Sequence, residues 1–134
     1  MIFVDTSAWY AASVHDDADH VPAREFLASF RDELITSDFV LDETLTLLRA
    51  RRHDLLAQTL GASLFGADIQ MVHFLSEAEL LDAWAVFQKF SDKEWSFTDC
   101  TSKVVMERLG IKTAFTFDHH FKQFGDIEIV PAQS

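Results

Sequence analysis

The chain has 134 residues and a mass of 15.3 kDa, the size of one domain at the usual ~100–200 residues per domain. Apolar residues make up 49% of it, with 13 Phe and 3 Trp, enough to fill a core without staples and to exclude disorder as the main state. The 22 Asp and Glu against 11 Lys and Arg leave a net charge of −11, a surface that repels nucleic acid and anionic lipid at long range.

Only 2 Pro and 4 Gly occur, too few for a sandwich of many tight turns. Cys100 is the only cysteine, so no intramolecular disulfide and no zinc spacing is available, which suits a reducing cytoplasm. The start, Met1 to Asp5, reaches a carboxylate with no basic segment before it and does not read as a signal peptide. The apolar runs fall far below the ~18 residues of a spanning helix. A soluble cytoplasmic protein is expected, organised as one domain over residues 1–134.

Ile2-Phe3-Val4 is a short β-branched and aromatic run that stops at Asp5-Thr6-Ser7, after which Trp9, Tyr10 and Ala12 have helical spacing. His15 to His20 is a polar turn. Val21, Phe26, Leu27, Phe30 and Leu34 then recur at helical intervals from about Asp19. Leu34-Ile35-Thr36 is a second strand candidate. Thr36-Ser37-Asp38 supplies cap residues for a helix running to about Arg52, and another helix spans Leu55 to Phe65, closed by Gly66. Ile69 to Phe74 alternates loosely and reads as a strand. Ser76 and Glu79 have capping-box spacing ahead of a helix to about Phe90. Ser96-Phe97-Thr98-Asp99 opens a further helix, and Gly110 stands where a C-terminal glycine belongs. Lys112 to Phe117 and Ile127 to Val130 complete the strands. Strands alternating with helices describe a three-layer α/β/α sandwich with a mainly parallel sheet.

Parallel sheets of this kind place their sites outside the carboxyl ends of the strands. Two such ends carry an acid: Asp5 is the first polar residue after Ile2–Val4, and Asp118 the first acid after Ala114–Phe117. Taken alone, each is equally a helix cap. Glu43 lies in the otherwise apolar stretch Phe39–Leu48, where an ionised carboxylate is rarely buried without a partner; Asp42 beside it suits a solvated position, and periodicity does not choose between them. Asp99, at a helix start, has two bland explanations, the helix dipole and a pair with Lys103 four residues on. Together, an oxygen-only set of three or four carboxylates has the ligand type and charge for Mg²⁺ or Mn²⁺. Divalent ions held by carboxylates serve phosphoryl chemistry, so phosphodiester hydrolysis is the leading class.

These residues also carry a resemblance. Ile2-Phe3-Val4-Asp5-Thr6-Ser7-Ala8, Leu41-Asp42-Glu43-Thr44-Leu45, Phe97-Thr98-Asp99-Cys100 and Thr116-Phe117-Asp118-His119-His120-Phe121 resemble, in order, the four motifs of PIN-domain nucleases, and most closely those of the small VapC-type toxins. The resemblance implies a Mg²⁺- or Mn²⁺-dependent endoribonuclease acting on RNA, a homodimer, inhibition by a small cognate antitoxin, and no membrane association. By position it implies Asp5 and Asp99 as main metal ligands, Asp118 completing the cluster, Glu43 bound directly or through water, and supporting hydroxyls from Thr6 and Thr98. His119 and His120 are left to face either substrate or solvent.

Other phosphate-handling folds fit less well. A response-regulator receiver needs an acidic pair after its first strand and an Asp closing its third, and Asp5 stands alone while Ile69–Phe74 ends without one. A haloacid-dehalogenase-like phosphatase wants a second Asp, or a Thr before a cap, where Ser7 stands. A solitary RNA-processing PIN nuclease and an inert PIN interaction module stay open as alternatives. For Arg49, Arg51, Arg52 and His53 the helix dipole is preferred to RNA contact, for His73 a satisfied edge position, for Trp84, Phe87, Phe90 and Trp95 core or oligomer surface, for Trp9 and Tyr10 helix packing, and for Cys100 an inert thiol.

Overall fold

The computed structural model describes residues 1–132. Strand β1 (Ile2–Val4) is apolar at every position, so it is stable only with both faces covered. It takes the centre of a five-stranded sheet of order β3-β2-β1-β4-β5. The flanking strands are β2 (Leu34–Ser37) and β4 (Thr113–Phe115), with β3 (Val72–His73) and β5 (Glu128–Val130) at the edges. Every pairing among the described residues is parallel, and parallel strands require crossovers, which the helices supply. Helices α1 (Thr6–Ser13) and α2 (His20–Ser29) join β1 to β2. Helices α3 (Asp38–Ala50) and α4 (Asp54–Leu64) join β2 to β3. Helices α5 (Glu77–Lys89) and α6 (Phe97–Leu109) join β3 to β4. The result is the expected three-layer α/β/α sandwich.

The core closes on Phe3, Val4, Leu41, Val105, Phe115 and Phe121, all essentially without exposure, and Phe26 packs a ring 4.7 Å from that of Phe115. Trp9 is 9% exposed and donates its indole N–H to Thr36 Oγ1 at 3.2 Å. Tyr10 is buried as well, so both aromatic residues after Asp5 pack the helix. Among the described residues no helix is long and apolar enough to cross a membrane.

Helix starts agree with the capping chemistry of the sequence. Ser37, Ser76 and Ser96 each accept a backbone N–H of the first turn, and the last two form complete capping boxes with Glu79 and Asp99. The departures have local causes. The stretch Ile69–Phe74 is not one strand: Ile69–Met71 is a 3₁₀ turn, tied by Met71 N–H to the Asp68 carbonyl at 2.9 Å. Only Val72 and His73 reach the sheet, opposite Thr36 and Ser37. Helix α2 stops at Ser29 because Phe30 turns extended while its N–H still bonds Phe26. Strand β4 stops at Phe115, short of Phe117, because the Phe117 N–H goes to the Ser7 hydroxyl at 2.9 Å.

Gly110 ends α6 in the left-handed region at φ +68°, with open space where a Cβ would stand. Backbone strain is then the only penalty of a side chain there. Gly110→Ala is expected to lower stability by about 1 kcal/mol, read as a shifted urea midpoint with unchanged slope.

Candidate active site

Parallel pairing of β1 with β4 puts Val4 opposite Phe115, so the residues that follow, Asp5 on one strand and Thr116 to Asp118 on the other, emerge side by side. Asp5 is 3% exposed. Its Oδ2 accepts the Ser7 hydroxyl at 2.9 Å, the Ser7 N–H at 3.3 Å and the Thr116 hydroxyl at 3.0 Å. Ser7 Oγ and Thr116 Oγ1 lie 3.1 Å apart. They accept in turn the backbone N–H of Phe117 and that of Asp118 at 3.0 Å. Two hydroxyls thus hold the Asp5 carboxylate and the chain leading to Asp118 in one clasp.

Asp99 is 6% exposed and completes the α6 capping box by accepting the Ser96 N–H at 3.0 Å. The same oxygen, Oδ2, faces His120 Nδ1 at 3.2 Å, and that nitrogen lies 3.4 Å from Asp118 Oδ1. A proton on Nδ1 would let it donate to either of the two carboxylates that flank it. His120 therefore ties Asp99 to Asp118 and is neither solvent-facing nor free, whereas His119 is 77% exposed. Glu43 is half-buried and Asp42 exposed, which resolves the ambiguity on α3 in favour of Glu43.

Asp5, Glu43 and Asp99 are all raised, burial being the first cause in each. Burial pushes Asp5 from 3.8 up to about 7, against the pull of the Ser7 and Thr116 hydrogen bonds and with some repulsion from Asp99. Burial raises Glu43 too, with the Thr6 hydroxyl opposing and the charges of Asp99 and Asp118 adding to the rise. Asp99 is raised by burial and by Asp118, with the Ser96 N–H and His120 opposing. Among the described residues no lysine or arginine pairs with any of the four. Lys103 pairs with Glu107 rather than Asp99, Arg49 with Asp54 and Arg108 with Asp82. An uncompensated carboxylate set fits a hard divalent cation and little else. The four do not converge within bonding distance of a single point: the tightest trio of donor atoms among the described residues is Asp118, His119 and His120, mutually within 4.8 Å.

This arrangement, and the chain as a whole, has counterparts. The family model for the PIN domain matches residues 2–127. The chain belongs to the PIN-domain family. Within the family it is VapC-like: it is 37% identical over 98% of its length, and 99% of theirs, to proteins named 23S rRNA-specific endonuclease VapC20 from two strains of Mycobacterium tuberculosis. The crystal structure of M. tuberculosis VapC20, described as a sarcin-ricin loop cleaving toxin, superposes with a TM-score of 0.87 at 34% identity, covering 96% of this chain and 98% of that one. FitAcB from Neisseria gonorrhoeae, at 14% identity, shares the fold with a TM-score of 0.68 over 96% of both chains.

Several side chains of this PIN domain were not legible in advance. The Thr6 hydroxyl supports Glu43, while the hydroxyls on Asp5 are those of Ser7 and Thr116, for which a serine two residues past a strand-end Asp was the available signal. The basic group stays away from the acids: Arg49 pairs with Asp54 and Arg51 lies 5.1 Å from the Tyr10 ring centroid. His73 is satisfied by both oxygens of Glu79, at 3.0 and 2.9 Å. Burial pushes the Cys100 thiol up to about 11, which leaves it protonated and unreactive. A cavity of about 610 Å³ between α3 and α4 is lined by none of the four acids.

The raised Asp5 has a pH consequence. Between 3.8 and about 7 the folded protein holds a proton on Asp5 that the unfolded chain has released. Its stabilisation is therefore complete below pH ~4 and lost as pH rises through 7, on the order of 4 kcal/mol for about three pH units. Glu43 and Asp99 shift the same way. In chelator, the urea midpoint is expected to fall from pH 5 to pH 8, and Asp5→Asn is expected to flatten that fall.

Proposed function

We propose that this PIN domain, spanning residues 1–134, is a Mg²⁺- or Mn²⁺-dependent endoribonuclease and the toxin of a toxin–antitoxin pair in the cytoplasm. The observation that carries the reading is a set of four acids, Asp5, Glu43, Asp99 and Asp118, at the carboxyl edge of the sheet with no lysine or arginine paired to them among the described residues. Identity to VapC20 over nearly the whole chain supports ribosomal RNA, in a loop such as the sarcin-ricin loop, as substrate.

Asp5 and Asp99 would hold the cation, with Asp118 and Glu43 completing its surroundings. A bound divalent ion supplies charge stabilisation at the phosphate and brings the pKa of a water towards neutrality. Glu43, half-buried on α3 within reach of the charges of Asp99 and Asp118, would take the proton of the attacking water on its carboxylate. Ser7 and Thr116 orient Asp5 through Oδ2. His120 keeps Asp99 and Asp118 at a fixed separation despite their like charge.

The acidic surface suits a small basic antitoxin, and the exposed apolar residues Phe74, Leu81 and Trp84 suit a second copy of the chain in a homodimer. Trp84→Glu is expected to shift sedimentation from dimer towards monomer.

Asp5→Asn and Asp99→Asn should each abolish cleavage of a sarcin-ricin hairpin RNA while leaving the fold intact. Thr116→Val, which removes a hydroxyl behind a ligand, should cost ~10–100-fold in activity. Millimolar Mn²⁺ should raise the melting temperature of the wild type and of neither Asn variant. Absence of any Mn²⁺ stabilisation together with absence of cleavage would leave the inert interaction module as the surviving reading.

A further inference from the structure

The turn that follows β4 sets nitrogen donors beside an acid. Asp118 caps the 3₁₀ turn His119–Phe124 and is held from both ends: its N–H goes to the Thr116 hydroxyl at 3.0 Å, and its Oδ1 accepts the His120 N–H at 2.9 Å. The same Oδ1 lies 3.4 Å from His120 Nδ1 and 3.9 Å from His119 Nδ1. The two imidazole rings stand 4.5 Å apart and are tilted by 58°, too steep for stacking. One donor atom from each of the three residues falls within 4.8 Å of the other two.

Those spacings suit a small transition cation. Zn²⁺ takes nitrogen and oxygen donors at ~2.0–2.2 Å in a tetrahedron, which puts neighbouring donors ~3.3 Å apart. Asp118 and His120 stand at that spacing already. His119, whose side chain is 77% exposed, is free to close the remainder by turning about its own side-chain bonds. Imidazole also changes which ion is held. Carboxylates by themselves select hard cations, whereas imidazole beside carboxylate favours Zn²⁺, Co²⁺ or Ni²⁺ over Mg²⁺. Charge acts in the same direction. Among the described residues no lysine or arginine pairs with Asp118, and Asp99 Oδ2 lies 3.2 Å from His120 Nδ1, so a dication on that nitrogen faces two carboxylates.

We propose that Asp118, His119 and His120 form a binding site for a zinc-class cation, and that filling it stops RNA cleavage by withdrawing Asp118 from the set of four acids. The binding half stands on donor type and spacing; the inhibitory half rests on the endoribonuclease reading. The two ligand sets share one carboxylate, so they compete for it. Zn²⁺ binds a nitrogen-containing site more tightly than Mn²⁺ does. A low concentration of zinc therefore outweighs a much higher one of Mn²⁺.

The test uses the full chain with His15→Ala as parent, because the His15 and His20 rings, 5.4 Å apart between α1 and α2, are another imidazole pair. In metal-free buffer, calorimetry with Zn²⁺ is expected to show a single bound ion, and Co²⁺ is expected to give the visible absorption of a four-coordinate complex. His119→Ala should weaken Zn²⁺ binding by at least about tenfold, the loss seen when even a residue behind a ligand is removed. His119→Cys, which replaces imidazole by another zinc ligand, should restore it. Asp5→Asn should leave both signals unchanged. With Mn²⁺ and a sarcin-ricin hairpin RNA, stoichiometric Zn²⁺ should stop cleavage by the parent, whereas His119→Ala should cleave at the parent's zinc-free rate with or without it. Zn²⁺ binding that keeps full affinity in His119→Ala, or that is lost in Asp5→Asn, would put the ion among the carboxylates and overturn the site. Binding through His119 with undiminished cleavage would overturn the inhibitory half. A parent that cleaves no RNA with Mn²⁺ would overturn the nuclease reading; calorimetry and the Co²⁺ spectrum, read without turnover, would then decide the site by themselves.

Discussion

Three residue pairs between two strands hold up the candidate site of this protein. Strand β1 lies in parallel register with β4 from Ile2 opposite Thr113 to Val4 opposite Phe115, and the two chains leave the sheet together. Because they do, one serine and one threonine can bridge the next residues, with Ser7 and Thr116 both donating to Asp5 and both accepting from the chain that carries Asp118. A shift of one residue in that register would turn Asp5 into the opposite layer and break every bond of the clasp. The site is thus an extension of the sheet's own hydrogen bonding, which gives a buried carboxylate the donors it needs.

Around that clasp the structure tolerates a repulsion that folding alone would avoid. Asp99 and Asp118 are held near each other by His120, and Asp5 is held in a nearly water-free position where its charged form is penalised. Catalytic sites commonly carry such perturbed groups, whereas a structural ion-pair network would match these acids with bases. Here the lysines and arginines pair with surface acids elsewhere, or gather beside Phe90. On the proposed function, part of the acidity that disfavours RNA at long range would serve to hold cations.

Most of the fold was legible because its signals are local. Ser76 with Glu79 and Ser96 with Asp99 mark helix starts through bonds only three residues long, and Gly110 marks an end through its own φ. The strand-end acids were legible for a related reason, since a polar residue after a buried run must lie at the sheet's edge. The misread stretch, Ile69–Phe74, is one where the pattern was weak and a partner decided: the short β2 offers only Thr36 and Ser37 to Val72 and His73.

By itself, then, the sequence determined the layer architecture, the positions of Asp5, Asp99 and Asp118 at element ends, and the family whose four motifs it carries, because each rests on periodicity, capping or order along the chain. Tertiary structure alone decided that Glu43 and not Asp42 faces the cluster, that Lys103 leaves Asp99 for Glu107, and that His120 joins two acids. It also decided that Ser7 reaches Thr116, 109 residues away. Each of those depends on which side chains from distant segments share one small volume, and no local pattern encodes a distance between segments that only folding brings together.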